Sequence, residues 1–199
     1  MSIKQWTLAL IEANLTKEPT NLAKYKPCRA ELLSPTSDWE HIWRLSRLPG
    51  LGSDLTTFNF KLLHRLLVTR NRMHQMNPAV SSSCLLCNDG IEDLAHSLIH
   101  CSYNQEVGLK LLKCIQHLVP AMSDQDLLHL EIRGLPIDME FPVVFLTSSI
   151  LRYIWNQRIS KARMSLYEIR TSLEAKCILL RKTRFENHAT GLETLLNSM

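Results

Sequence analysis

The chain contains no long apolar run. The longest uncharged stretch of its C-terminal half, Phe141 to Leu151, stops at Arg152, well short of the ~20 residues a bilayer-spanning helix needs, so no membrane segment is expected. The N-terminus lacks an apolar core of the secretory kind: Met1 to Leu15 mixes polar and apolar side chains and carries Lys4 and Glu12. Period-two alternation is scarce throughout, which argues against sheets. Fixed-period repeats, low-complexity tracts and sustained heptads are also missing, so solenoids and coiled coils drop out. With no secretory signal, the six cysteines read as reduced thiols inside a cell rather than as a disulfide framework.

What the chain does have is enough apolar material for a core. Of its 199 residues 45% are hydrophobic, which suits one domain or two small ones. The net charge of +4 is modest but unevenly spread. Residues 150–184 hold nine Arg or Lys against two Glu, whereas residues 121–141 hold five acids against Arg133 alone. A phosphate backbone responds to the charges within about a Debye length, so this asymmetry matters more than the total.

Apolar residues recur at helical spacing. Trp6, Leu8, Ala9, Ile11 and Leu15 suggest a first helix, followed by a linker interrupted by Pro19, Pro27 and Pro35. Ser37 or Asp38 can cap the next helix, which carries Trp39, Ile42, Trp43 and Leu45 and ends at Pro49-Gly50-Leu51-Gly52. Ser53 or Asp54 can cap a helix from Leu55 to Val68, and Thr69 a short basic continuation ending at Asn77-Pro78. Later, Val107 to Leu118 continues a helical face, Ser123 caps a short helix to about Leu130, and Phe141 to Ile159 and Leu166 to Leu180 read as two amphipathic helices. The expectation is a mainly α fold divided into 1–36, a helix and linker; 37–120, a helical domain with an embedded metal knuckle; and 121–199, a helical extension. The tryptophans Trp6, Trp39, Trp43 and Trp155 read as core residues in preference to base-stacking ones.

One cluster stands out. Cys84, Cys87, His96 and Cys101 form a C-x2-C-x8-H-x4-C array inside eighteen residues. Three thiols and an imidazole at such intervals can reach one tetrahedral Zn2+, and a site filled by four protein ligands leaves no position for a reactive water. Cys84-Leu85-Leu86-Cys87 has the pattern of a tight knuckle with Gly90 reversing the chain, and Glu92 to His100 reads as a short helix carrying His96, with Cys101 about one turn further. His100 competes as a ligand, but its position beside Cys101 makes joint chelation awkward. Glu92 reads as a charge at that helix's N-terminus in preference to a partner of the metal ligands. Cys28, Cys114 and Cys177 read as ordinary buried apolar residues.

From Trp39 to about Leu112 the sequence resembles the reverse-transcriptase zinc-binding domain that lies downstream of the polymerase in non-LTR retrotransposon polyproteins. The likeness rests on Trp39-x3-Trp43, on Phe60-Lys61-Leu62-Leu63-His64-Arg65-Leu66-Leu67-Val68-Thr69, on the basic turn Arg70-Asn71-Arg72-Met73, and on the Cys84-x2-Cys87 pair. It continues through Glu92-Asp93-Leu94-Ala95-His96-Ser97-Leu98-Ile99-His100-Cys101. Cys84, Cys87, His96 and Cys101 fall on the family's ligand positions. Ser102 stands where the family usually has Pro, which affects the exit turn and not the metal. No Asp-Asp pair occurs anywhere, so the metal motif of a polymerase is missing and the chain reads as a C-terminal piece, a degenerate copy or a host-retained fragment of such an element.

The resemblance and the charge pattern together imply a non-enzymatic, zinc-stabilised module that binds DNA or RNA. Lys61, Arg65, Arg70 and Arg72 before the knuckle, and Arg158, Lys161, Arg163, Arg170, Arg181, Lys182 and Arg184 after it, are the candidate phosphate contacts. The alternative is a zinc-stabilised assembly module whose C-terminal helices dock on a reverse transcriptase or a second copy. Location is expected to be intracellular, and nuclear if the ligand is DNA.

Overall fold

A computed structural model describes residues 37–161, 165–182 and 186–198. The N-terminal helix and linker expected over 1–36, with Trp6 and Cys28, and the candidate contacts Arg163 and Arg184 lie outside the described residues. Within them the protein is helical and has no strand, only one antiparallel bridge between Ser83 and Ile91. No described helix is long and apolar enough to cross a membrane.

Local chemistry explains most helix boundaries. α1 (Trp39–Leu45) starts at Asp38, whose carboxylate accepts the His41 amide at 3.0 Å. α2 (Ser53–Leu63) follows Gly52, which takes φ +82° and has neither Ser53 nor Asp54 as its cap. The helix expected to run to Val68 stops at Leu63. Arg65 adopts a left-handed conformation (φ 55°), and the Leu66 amide closes back on the Lys61 carbonyl at 2.7 Å while Arg65 donates to Leu62. This closure satisfies carbonyls that the helix end would otherwise leave bare. Thr69 then caps α3 (Arg70–Met76). After the knuckle come a π-helical turn (His96–His100), α4 (Gln105–Gln116) and α5 (Asp124–His129). In α5 Ser123 and Asp126 form a reciprocal capping box, and Leu130 closes the end in a left-handed conformation.

α6 (Ile137–Ser160) is the axis of the molecule. An amphipathic helix was expected here, but every residue from Glu140 to Leu151 is buried, because α1, α2, α4, the π-turn, α7 (Leu166–Arg181) and α8 (Glu186–Ser198) surround it. That enclosed stretch has no polar face to show, whereas from Arg152 to Ser160 the helix turns one side to solvent. The core is one cluster running from Leu45 and Leu62 through Leu98, Leu111 and Leu127 to Val144, Ile154, Leu173 and Leu196. It is continuous across residue 120, where the sequence suggested a boundary. Cys114 and Cys177 are buried within it.

The joint that matters most for the knuckle is between α4 and the π-turn. A Cβ on Gly108 would sit 2.9 Å from the Ile99 Cα and carbonyl oxygen, so only glycine lets the two backbones meet. Gly108→Ala should force them apart, with a stability loss of about 1–3 kcal/mol in urea melts and weakened zinc retention.

Candidate metal centre

A short hairpin presents the first two ligands. Cys84 N donates to Gly90 O at 3.1 Å, Asn88 N to Cys84 O at 3.0 Å and Glu92 N to Ser82 O at 2.9 Å. Asn88 (φ 56°) and Gly90 (φ 69°) turn the chain between them in left-handed conformations. The Cys84 sulfur faces the Leu86 and Cys87 amides, and the Asp89 amide points at the Cys87 sulfur at 3.4 Å. Amide hydrogens aimed at sulfur favour thiolate.

The other two ligands come from a turn of unusual pitch. Cys101 is the fifth residue after His96, and in an α-helix a step of five overshoots a full turn by about 140°. Here the Cys101 amide bonds to the His96 carbonyl at 2.7 Å, an i→i+5 closure, so the wider π-turn returns Cys101 beneath His96. Asp93 caps the turn by accepting the His96 amide at 2.8 Å, and Asn104 Nδ2 donates to Ser97 O at 2.6 Å.

The result is a compact donor set. Ligand atoms of Cys84, Cys87, His96 and Cys101 all lie within 4.8 Å of one another, with Cys84 Sγ to Cys101 Sγ at 3.7 Å and Cys87 Sγ to His96 Nε2 at 3.3 Å. A tetrahedral zinc with bonds of about 2.3 Å to sulfur and about 2.0 Å to nitrogen has S–S edges near 3.8 Å and S–N edges near 3.5 Å. The same sulfur separation is far too long for a disulfide, whose bond is about 2.05 Å. His100 stays outside, exposed and paired with Asp124 at 2.8 Å.

Electrostatics tells the same story. Burial pushes the Cys101 thiol up to about 12 and raises Cys84 as well. Burial also opposes the Cys87 thiolate, but the hydrogen bonds it receives, the Asp89 amide first, leave that group below its ordinary value. Clustered thiolates need a cation, and a zinc ion held by these four side chains would supply it, displacing the thiol protons on binding.

Beneath the knuckle lies a residue the sequence reading undervalued. Glu92 is not a helix-terminal charge. Its side chain is 0% exposed; one oxygen accepts the Arg70 amide at 2.8 Å and the other the Leu85 amide at 2.9 Å. Arg158 from α6 completes the set by pairing with Glu92 through Nη2. The Arg158 guanidinium also lies 4.6 Å over the Trp155 ring. Arg158 is therefore not an exposed phosphate contact, because its charge is consumed inside the protein. One carboxylate thus joins the Cys84–Cys87 turn, the start of basic α3 and the central helix.

The other basic candidates divide. Arg72 donates to the Arg65 carbonyl, and Arg65 contacts His129, so both support the left-handed turn at Arg65. Arg170 and Arg181 are exposed but paired with Glu174 and Glu193. Lys61, Arg70, Lys161 and Lys182 make no ion pair with a carboxylate among the described residues, and Lys161 and Lys182 are exposed.

Burial alone would raise the Glu92 carboxyl, but the bonds from Arg158, Leu85 and Arg70 hold it below the ordinary glutamate range. A depressed carboxylate stabilises the fold above its unfolded pKa of about 4.3 and loses that contribution as pH falls through the folded value. Arg158→Met leaves Glu92 buried and short of its cation, a loss of about 3–5 kcal/mol at pH 7.5. The variant's Glu92 pKa must rise, so its deficit relative to wild type should shrink as urea melts are repeated from pH 7.5 towards pH 5.

Residues 24–107 match the family model described as zinc-binding in reverse transcriptase. No curated protein and no solved structure matches the chain. The matched span holds all four clustered ligands and Glu92, and it ends before α6 and Arg158. Over residues 24–107, somewhat less than half of its length, the chain is thus similar to the zinc-binding domain of reverse transcriptases.

Proposed function

We propose that this zinc-binding module binds nucleic acid and performs no chemistry of its own. The observation that carries the reading is the Glu92 junction: the carboxylate that braces the Cys84–Cys87 turn also receives the first amide of α3, the helix bearing Arg70 and Arg72. Folding the knuckle around zinc therefore fixes a basic segment in place, and metal-ligand free energy becomes positional order. Lys61, Arg70, Lys161 and Lys182 are the cations best placed to meet phosphate, since their charge is not spent on acids among the described residues. Four protein ligands on one ion leave no open coordination position, which favours a structural metal over a catalytic one. DNA or RNA inside the cell, and DNA in the nucleus, is the ligand this reading implies.

A second reading has its own observation. On α7, Tyr167, Ile178 and Leu179 are 78%, 56% and 63% exposed, an apolar surface suited to a reverse transcriptase or a second copy. Salt separates the two. Phosphate binding should fall steeply between about 50 and 200 mM salt, whereas apolar docking should not.

Purified full-length protein should carry one zinc per chain by elemental analysis, and its removal with a strong chelator should lower helicity and melting temperature together. Zinc-loaded protein should bind single- or double-stranded probes with a clear salt slope. Joint substitution of Lys61, Lys161 and Lys182 by Glu should reduce affinity by about tenfold or more and flatten that slope. Unchanged binding in the triple variant, or salt-independent binding in the wild type, would count against phosphate recognition.

A further inference from the structure

α7 packs on the core through Ile169, Leu173, Cys177 and Leu180. Its other side is exposed and carries little charge. At about 100° per residue, the exposed positions Tyr167, Thr171, Ser172, Ala175, Ile178 and Leu179 fall within one outward arc of about 140°. Tyr167, Ile178 and Leu179 are large and apolar, and each is more than half exposed. The exposed positions of α8 make the contrast: Glu186, Asn187, Thr190, Thr194 and Asn197 are all polar, as a solvated face should be. The charges that border the arc on α7 are already spent, Arg170 on Glu174 at 2.9 Å and Arg181 on Glu193 at 2.5 Å. An apolar face bounded by satisfied charges can be covered without stranding an ion.

Two charges lie within the arc itself, one at each end. Glu168 stands in the first turn, where it accepts the Tyr153 hydroxyl at 2.8 Å. Lys182 stands at the C-cap, exposed and without a carboxylate partner among the described residues. Each is seven residues from Ala175, or about 10 Å along the helix axis. A face with an acid at one end, a base at the other and its smallest side chain midway is complementary to itself reversed. Turned end for end about Ala175, it sets Glu168 against Lys182 of a second copy and brings Ile178 and Leu179 onto Thr171 and Ser172. Laid parallel, the same face opposes acid to acid and base to base, which is repulsive. The reversed arrangement also sets the two helix dipoles head to tail.

We infer that α7 docks antiparallel on α7 of a second copy of this chain, forming a two-fold dimer centred on Ala175. The inference goes beyond the nucleic-acid reading and commits the α7 surface to one occupant. A two-fold contact is isologous, so each pairing occurs twice. One helix face is small beside the ~1,600 Å² of a standard interface, so the dimer is weak, with a dissociation constant of about 10–100 µM. In the dimer Lys182 is drawn to the partner's acid, which leaves Lys61, Arg70 and Lys161 to meet phosphate.

Sedimentation equilibrium of zinc-loaded full-length protein, in reductant and without nucleic acid, should show a monomer–dimer equilibrium in that concentration range. Ile178→Glu should weaken dimerisation by about tenfold or more, since every dimer then buries two unpaired charges. Glu168→Lys and Lys182→Glu should each weaken it by about fivefold, and the double reversal should restore it towards wild type, because the signs are exchanged and the order is kept. The substituted positions are exposed, so zinc content and the melting temperature of dilute protein should stay at wild-type values. Should Ile178→Glu fold poorly, the charge-reversal set carries the test. Wild-type protein that is still monomeric at about 0.5 mM, where a dimer of this affinity is mostly formed, overturns the inference and leaves the α7 face to a different protein such as a reverse transcriptase. A dimer indifferent to Ile178→Glu, or a double reversal no better than the single ones, overturns it as well. No nucleic acid is present, so failure here leaves the nucleic-acid reading standing, and loss of probe binding leaves the dimer standing.

Discussion

A carboxylate sealed from water must be matched where it sits, and in this protein Glu92 is matched from three directions. The amide of Leu85 comes from within the Cys84–Cys87 turn, the amide of Arg70 from the first residue of α3, and the guanidinium from Arg158 on α6. None of these segments is a neighbour of another in sequence. The charge cannot be relieved by solvent, so each segment is held in place by the cost of leaving the carboxylate under-bonded. Glu92 works as a keystone, and the geometry of the cysteine cluster depends on it as much as on the hairpin that carries two of the ligands.

The metal cluster has the opposite electrostatic problem. Its thiols are raised by burial at Cys84 and Cys101, and only Cys87 is drawn below its ordinary value by the donors around it. The donor set is arranged at distances that suit zinc, yet the protein around it does not by itself favour three thiolates. A divalent cation held by the four side chains would resolve that conflict, as Arg158 resolves the conflict at Glu92. The two compensations lie on either side of Leu85, whose amide belongs to the carboxylate and whose neighbour Cys84 belongs to the metal. Loosening one should loosen the other through a single turn of backbone.

Much of this was legible in residue order. The spacing of Cys84, Cys87, His96 and Cys101 announces a four-ligand set, and caps at Thr69 and Ser123 are read correctly because a hydroxyl beside an amphipathic run acts within three residues of itself. The end of α2 was not legible. It closes on Arg65 in a left-handed conformation that sequence assigns to glycine or asparagine, and it is supported there by Arg72 and His129 from elsewhere in the chain. The π-turn was hidden for a similar reason. Counting residues from His96 to Cys101 suggests one helical turn, but only a locally widened helix brings the two side chains onto one side.

Sequence alone therefore determined the helical class, the identity of the clustered metal-binding side chains and several helix starts, all of which rest on interactions spanning a few residues. Tertiary structure decided which charges remain available. Arg158 reads on paper as one more cation in a basic stretch, and the fold spends it on Glu92, sixty-six positions away. Trp39 and Trp43 read as core at helical spacing, and the fold leaves them only partly buried while Ile42 and Leu45 take the fully buried face of the same short helix. A side chain's type fixes what it can do, but its partners are set by distances across the folded chain, and those distances exist only once α6 has been enclosed.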